Sequence, residues 1–180
     1  MSQKIILIVE KDVEIIIPNE YIKYSKVINS LIEGNTDPEI KLPLFTINEK
    51  NIRKFIEFCA VIEKIPDITS SNLMNQFSSL DPECKRLLNS LIESSSNPAV
   101  GGGGEESSES GGSGDFLADM INTCNFLDCN KLLKLLCGFF CLTFLTGKSP
   151  SQVRAEWGII NDFTPDEEAV IAKEEKWLNQ

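Results

Sequence analysis

The last third of the chain contains two short helices whose starting points can be read directly from the sequence. Ser149 is a predicted N-cap, and Gln152, three residues on, completes a capping box. Thr164 and Glu167 repeat the pattern, and in both cases a proline holds the first helical position. Neither helix has enough apolar residues to form a core with the other. The segment must therefore pack on the rest of the fold or bind a partner.

The same segment carries unusually large apolar side chains for its length. They are Trp157, Ile159, Phe163 and Trp177. Two interpretations are open. These side chains form a small core of their own, or they remain available as anchors for another protein, which is the role that large aromatic residues most often have in interfaces.

The remaining sequence predicts a small sheet and several helices. Two β-rich runs, 4–10 and 13–17, indicate a hairpin, and a short extended piece is expected near 40–42. Helical periodicity is found over 21–32, from Asn48 to about 62, over 70–93, over 116–127 and over 131–145. Because 131–145 is apolar on nearly every side, it is predicted to be a central buried helix. This combination is typical of the α+β class.

A compositional break separates the two parts of this pattern. Residues 95–114 contain four consecutive glycines followed by Glu, Ser and Gly, with no apolar side chain after Val100. Such a composition predicts a flexible linker that contributes nothing to a core. A native low-complexity insert and an engineered replacement of a longer loop would both produce it.

Charge and hydropathy narrow the classes of partner. The chain has 27 acidic and 17 basic residues and a net charge of −10, which disfavours nucleic acid because phosphate binding requires concentrated positive charge. The longest apolar run, from Leu132 to Leu145, contains Lys134 and falls short of the roughly 20 residues that span a bilayer. The start shows no signal-peptide pattern. We expect no membrane association and a cytoplasmic or nuclear location.

The residues needed for catalysis or metal binding are largely missing from the sequence. There is no histidine, and the six cysteines are not spaced as paired Cys-x2-Cys ligands. Most of them lie beside Leu and Phe on apolar helix faces, which predicts that they are thiols of the hydrophobic core. A redox or metal-binding function of these cysteines remains an alternative. No nucleophile or phosphate-loop motif is present. We expect no enzyme activity, catalytic residue, cofactor or metal.

Several short runs of the chain form a recognisable set: Gly147-Lys148-Ser149-Pro150, Ile159 followed by Asn161-Asp162-Phe163-Thr164, Trp177, Asn125-Phe126-Leu127-Asp128 and Lys41-Leu42-Pro43-Leu44. Together these runs resemble the Skp family, the adaptor subunits of SCF (Skp–cullin–F-box) ubiquitin ligases. The resemblance covers roughly 1–66 and 115–180. It does not extend to the Leu-rich segment 67–94, and the helix at 135–144 is richer in aromatic residues and cysteine than the family pattern.

The resemblance implies a BTB/POZ-like fold, with a three-stranded sheet and helices, plus a C-terminal helical extension. It divides the chain into a BTB/POZ-like domain (1–66 and 115–146), an extra helical segment (67–94), the linker (95–114) and F-box-binding helices (147–180). It assigns F-box binding to Val153, Trp157, Ile159, Asn161, Asp162, Phe163 and Trp177. It assigns cullin binding to Asn125 and Phe126, which could instead be a helix C-terminal residue and a core ring.

The function that the resemblance implies is a non-catalytic adaptor between an F-box protein and a cullin. The alternative is a BTB-type scaffold that binds an F-box protein in a kinetochore, meiotic or trafficking assembly without a cullin. In either case a weak homodimer, or a mobile segment at 147–180, is expected while no F-box protein is bound, because the apolar surface can serve only one partner at a time.

Overall fold

A computed structural model describes residues 3–69, 72–93 and 115–174 of the chain. The predicted linker at 95–114 and the side chain of Trp177 lie outside these ranges. The chain divides into two compact units, Met1–Leu142 and Thr143–Gln180.

The first unit contains a three-stranded mixed sheet. Its strands are β1 (Lys4–Ile8), β2 (Glu14–Ile17) and β3 (Glu39–Pro43), in the order β2-β1-β3. β1 is antiparallel to β2, as the hairpin prediction requires, and parallel to β3. One face of the sheet is buried; its residues are Ile5, Leu7, Ile15, Ile17, Ile40 and Leu42. The small sheet among many helices confirms the α+β prediction.

Six α-helices accompany the sheet in the described part of the first unit. They are α1 (Lys26–Ile32), α2 (Glu49–Val61), α3 (Leu73–Ser78), α4 (Pro82–Glu93), α5 (Asp115–Phe126) and α6 (Asn130–Phe140). α2 packs on α4 and α5, and α5 packs in turn on α6. Asn48 caps α2 as predicted, because its side chain accepts a hydrogen bond from the Asn51 amide. Phe55 and Phe58 of α2 are fully buried, so this helix lies at the centre of the core.

The predicted helix over 21–32 is two elements. A 3-10 helix, Asn19–Tyr24, comes first, and α1 begins only at Lys26. Ser25 lies between them in an extended conformation, and its hydroxyl accepts a hydrogen bond from the Ile28 amide at 3.2 Å. The Ser25 hydroxyl takes the hydrogen bond of an amide that a backbone carbonyl would accept in a continuous helix. The helix therefore starts anew at Lys26, with Ser25 as its N-cap.

α6 is buried on one side only, so the prediction of a central, fully buried helix over 131–145 was wrong. Leu132, Leu135 and Leu136 are buried, whereas Cys137 is exposed. The helical backbone also changes to a π-helical turn over Cys141–Leu145. α5 covers one side of α6, and no described element covers the opposite side completely.

The short helix α3 approaches α6 closely at a glycine. A Cβ atom added at Gly138 would lie 3.1 Å from the Phe77 ring and 3.3 Å from the Leu73 side chain. The rings of Phe77 and Phe139 are stacked beside this point, with centroids 6.1 Å apart. The segment that the family resemblance did not explain therefore packs on the core helices of the first unit.

The second unit contains α7 (Pro150–Glu156) and α8 (Pro165–Glu174). Both predicted starts are confirmed. In α7 the Ser149 hydroxyl accepts from the Gln152 amide, and the Gln152 side chain accepts from the Ser149 amide at 2.7 Å. In α8 the Thr164 amide donates to the Glu167 carboxylate at 2.9 Å. Reciprocal pairs of this kind fix the first turn of each helix.

Membrane-spanning helices were sought within the described ranges. No single helix there is long and apolar enough to cross a membrane, and one bent pair, Asn130–Leu145 with Pro150–Glu156, could do so by length and composition only.

Candidate partner-binding surfaces

The corner after α7 is built by local backbone geometry. Trp157 caps the C-terminus of the helix, and Gly158 follows with φ of 63°, a left-handed conformation that glycine adopts without strain. The amide of Ile159 then donates to the carbonyl of Arg154 at 2.9 Å. These contacts hold Trp157 and Ile159 on either side of a sharp turn.

A carboxylate in α8 fixes the loop that follows. The side-chain amide of Asn161 donates to Glu168 at 2.7 Å, and the guanidinium of Arg154 donates to the same oxygen at 3.2 Å. The Phe163 amide donates to the Asn161 side chain at 3.4 Å. Asn161 thus has a structural task besides the binding role assigned to it. Sequence reasoning missed Arg154 and Glu168, since opposite charges at this separation carry no local signal.

The large apolar residues of the second unit are exposed. Trp157 is 38% exposed, Phe163 47% and Ile159 55%, and the neighbouring Ile160, which the sequence interpretation did not select, is 86% exposed. Trp177, the fourth residue of the interpretation as a small core, lies outside the described residues. Ile159, Ile160 and Phe163 each keep about half or more of their side-chain surface exposed.

The other residues assigned to F-box binding differ in environment. Val153 is half-buried on α7, and Asp162 is exposed in the loop. The Trp157 ring packs edge-on against Phe144, with centroids 5.7 Å apart. Trp157 is therefore partly held in place and partly exposed, as a pre-positioned anchor would be.

The C-terminal end of α5 presents the two residues assigned to cullin binding. Asn125 is exposed, and Phe126 is 48% exposed. The alternative interpretation of Phe126 as a core ring is thus wrong. The core position is taken instead by Leu127, which is fully buried. Aromatic side chains such as Phe126 are enriched at protein–protein interfaces.

Hydrogen bonds from distant parts of the chain fix this end of α5. The buried Ser25 hydroxyl donates to the Leu127 carbonyl at 2.7 Å. Lys26 forms an ion pair with Asp128 at 3.2 Å. One turn earlier, the Asn51 side chain donates to the Thr123 hydroxyl at 3.0 Å. α1 and α2 together therefore set the position of the Asn125–Phe126 pair.

The thiols are mostly buried. Cys59, Cys84, Cys124 and Cys129 are buried, which confirms the core prediction for these four, whereas Cys137 is exposed. Burial raises the pKa of Cys84 to about 11 and also raises the pKa of Cys59 and Cys124. In the described ranges no group of three or more acidic, cysteine or histidine residues could hold a metal ion. Protonated, enclosed thiols are poor nucleophiles and poor metal ligands.

Comparison with known proteins matches the region that contains α6, α7 and α8. Residues 130–178 match the family model described as "Skp1 family, dimerisation domain". Over 187 residues the chain is 28% identical to the "S-phase kinase-associated protein 1 homolog" of Tetrahymena thermophila, covering 99% of this chain and 96% of the relative.

Further relatives come from fungi and plants. The "E3 ubiquitin ligase complex SCF subunit sconC" of Arthroderma benhamiae is 26% identical over 179 residues, which covers 99% of this chain and 97% of the relative. The "SKP1-like protein 13" of Arabidopsis thaliana is 44% identical over 61 residues, 34% of this chain and 39% of the relative. The chain combines a BTB-like arrangement of a three-stranded sheet and helices with similarity to Skp1 homologues and SCF subunits over nearly its full length.

Proposed function

We propose that the protein is a non-catalytic adaptor that joins an F-box substrate receptor to a cullin in an SCF-type ubiquitin ligase. The observation that carries the proposal is the exposure of large apolar side chains in the second unit. Its two helices are firmly capped, yet Trp157, Ile159 and Phe163 remain exposed. Relatives that span nearly the whole chain bear the name SCF subunit or Skp1 homolog, which supports the same assignment.

F-box binding is proposed for the C-terminal helices. Val153, Trp157, Ile159, Asn161, Asp162, Phe163 and Trp177 are the proposed contact residues, of which Trp177 lies outside the described residues. Exposed aromatic side chains beside polar groups that are already hydrogen-bonded can bury apolar area at little ordering cost, because the loop is fixed before the partner arrives.

Cullin binding is proposed for the end of α5. Asn125 and Phe126 are both exposed there. The start of α1 holds the residues that follow, because Ser25 donates to the Leu127 carbonyl and Lys26 pairs with the Asp128 carboxylate. The Phe126 ring and the Asn125 amide are thus held in fixed positions. A fixed contact surface suits an adaptor, because the adaptor must hold the substrate receptor at a defined place relative to the cullin.

The proposal is tested by reconstitution from purified proteins. The full chain is mixed with an F-box protein, with a cullin, and with both, and the products are separated by size-exclusion chromatography with light scattering. We expect two binary complexes and one ternary complex. If an F-box protein binds and no cullin does, the ligase role is wrong and the alternative scaffold role applies. If neither binds, both roles are wrong.

A weak homodimer of the free chain is a further part of the proposal. The exposed apolar surface of the second unit supports it, as does the description of the matching family model as a dimerisation domain. The net charge of −10 opposes self-association, so the dimer should be tighter at higher salt, where repulsion is screened. Sedimentation velocity over a range of concentrations, with and without an F-box protein, tests this. A strictly monomeric free chain would contradict it.

A cytoplasmic or nuclear location is proposed for this assembly. A reducing compartment is consistent with six cysteines, none of which forms a disulfide in the structure. Imaging of a fluorescent fusion in the source cells tests the proposal, and secretion of the fusion would overturn it.

A further inference from the structure

A cleft beside Phe126 lies between the start of α2 and the exposed side of α5. Its volume is about 390 Å³, and its walls include Thr46, Asn51, Asp119, Asn122 and Phe126. We call it the Asn51 cleft. None of the residues that line it is basic, whereas Asp119 contributes a carboxylate. The cleft is therefore polar and acidic, with one aromatic wall.

Asn51 is almost completely enclosed at this site, with 5% of its surface exposed. The Thr123 hydroxyl donates its proton to the Asp119 carbonyl at 2.8 Å, so it can only accept from Asn51. This requirement orients the amide, with its nitrogen donating to Thr123 at 3.0 Å. The Asn51 carbonyl oxygen is buried and accepts no hydrogen bond from any part of the chain that the structure describes.

A buried carbonyl oxygen without a donor is unfavourable, and most buried polar groups in folded proteins are paired. Asn51 lines the cleft together with Phe126, the exposed ring proposed for cullin binding. Because the unpaired oxygen is enclosed in the free chain, a donor from the partner would reach it only once the Asn51 side chain turns toward the cleft. A positively charged donor would also be attracted by Asp119 and by the face of an aromatic ring.

We propose that the Asn51 cleft receives a lysine or arginine side chain of the cullin, with Asn51 as its buried acceptor and Asp119 as its charge partner. The inference rests on the proposed adaptor function and adds the chemistry of the contact next to Phe126. It assigns specificity to residues on α2 and α5 that the family resemblance did not select. Electrostatic complementarity of this kind mainly determines which partner is accepted.

The test measures the affinity of the full chain for purified cullin by calorimetry at low and high salt. Asn51→Leu should weaken binding about tenfold, because the donor loses its acceptor. Asp119→Asn should weaken it severalfold at low salt and should flatten the salt dependence, a change that a purely structural role would not produce. Asn75→Leu, the same substitution on an exposed position of α3 outside the cleft, is the control and should bind as the wild type does.

Each outcome discriminates. If wild-type affinity is retained in both Asn51→Leu and Asp119→Asn, the cleft takes no cullin side chain and this inference is overturned while the adaptor function stands. If Asn51→Leu does not fold, the salt dependence of the exposed variant Asp119→Asn decides. If the wild-type chain binds an F-box protein but no cullin, the adaptor function fails, and the inference fails with it.

Discussion

The Ser25 hydroxyl donates a 2.7 Å hydrogen bond to the carbonyl of Leu127, a residue 102 positions further along the chain. The same hydroxyl accepts from the Ile28 amide and so caps α1. One buried side chain therefore starts a helix and holds the end of another. The Asn125–Phe126 pair lies immediately before the residue that is held.

Ser25→Ala should lower the free energy of unfolding by about 2 kcal/mol, because it removes an N-cap and deprives a buried carbonyl of its donor. Urea denaturation of the wild type and the variant measures the change. Ser30→Ala, at an exposed position on α1, is the control and should change stability by less than about 0.5 kcal/mol. Equal midpoints for Ser25→Ala and the wild type would contradict the structural role.

Trp157→Ala should weaken F-box binding on the order of 30-fold or more, since truncating a central aromatic anchor typically costs about 2–4 kcal/mol. The Phe144–Trp157 contact lies in the second unit, so circular dichroism of the variant should still show a folded first unit. Titration of an F-box protein measures the affinity. Unchanged affinity would exclude Trp157 from the interface, and the same prediction applies to Trp177→Ala.

Asn125→Lys combined with Phe126→Lys should abolish cullin binding and leave F-box binding intact. Burying two unpaired charges in an interface is strongly unfavourable. Both side chains are exposed in the free chain, so the variant should fold normally. Pull-down with each partner separately measures the effect, and the combination of wild-type cullin binding with a normal fold would place the cullin surface elsewhere.

The cysteines should differ in reactivity at pH 8. Cys137 is exposed and should be alkylated first, whereas the four buried thiols should react only after unfolding. Burial raises the pKa of Cys84 to about 11, so its thiolate is scarce even where reagent can reach it. Peptide mapping after timed treatment with iodoacetamide gives the order. Rapid labelling of Cys124 in the native protein would show that the core opens easily.

Acid should loosen the start of α8 selectively. Thr164 donates from its amide and its hydroxyl to the Glu167 carboxylate, which lowers the pKa of Glu167 below its ordinary value of 4.5. A group with a lowered pKa stabilises the fold above its unfolded pKa, and that contribution is lost as the pH falls through the folded pKa. Amide hydrogen exchange at 166–170 should thus accelerate, relative to α2, below about pH 4.5. In Glu167→Gln this pH dependence should be weaker; an unchanged profile would contradict the prediction.

The helix starts were the most predictable part of this chain, and the reason is physical. A capping box involves neighbouring residues only, so Ser149 with Gln152 and Thr164 with Glu167 can be recognised without any knowledge of the fold. The hairpin was predictable for the same reason. The family resemblance was carried by the same local runs.

Features that depend on contacts between distant parts of the chain could not be predicted from the sequence. Ser25 interrupts the periodic pattern at 21–32 because its hydroxyl has partners at both Ile28 and Leu127, and the second of these is invisible locally. The sequence did not predict the exposed side of α6, because hydropathy describes how apolar a side chain is. It does not describe whether another helix or strand packs over that side chain. Asn51 gave no signal, since its burial is created by α5.

The exposed apolar residues of the second unit also affect the steady-state abundance of this protein in the cell. Ile160 is 86% exposed and lies between Ile159 and the loop that ends at Phe163. Chaperones and proteases recognise such uncovered apolar segments in subunits that have not been assembled. A copy without its partner would be removed faster than a bound copy, so the cellular amount of this chain should follow the supply of F-box proteins and not only its own rate of synthesis.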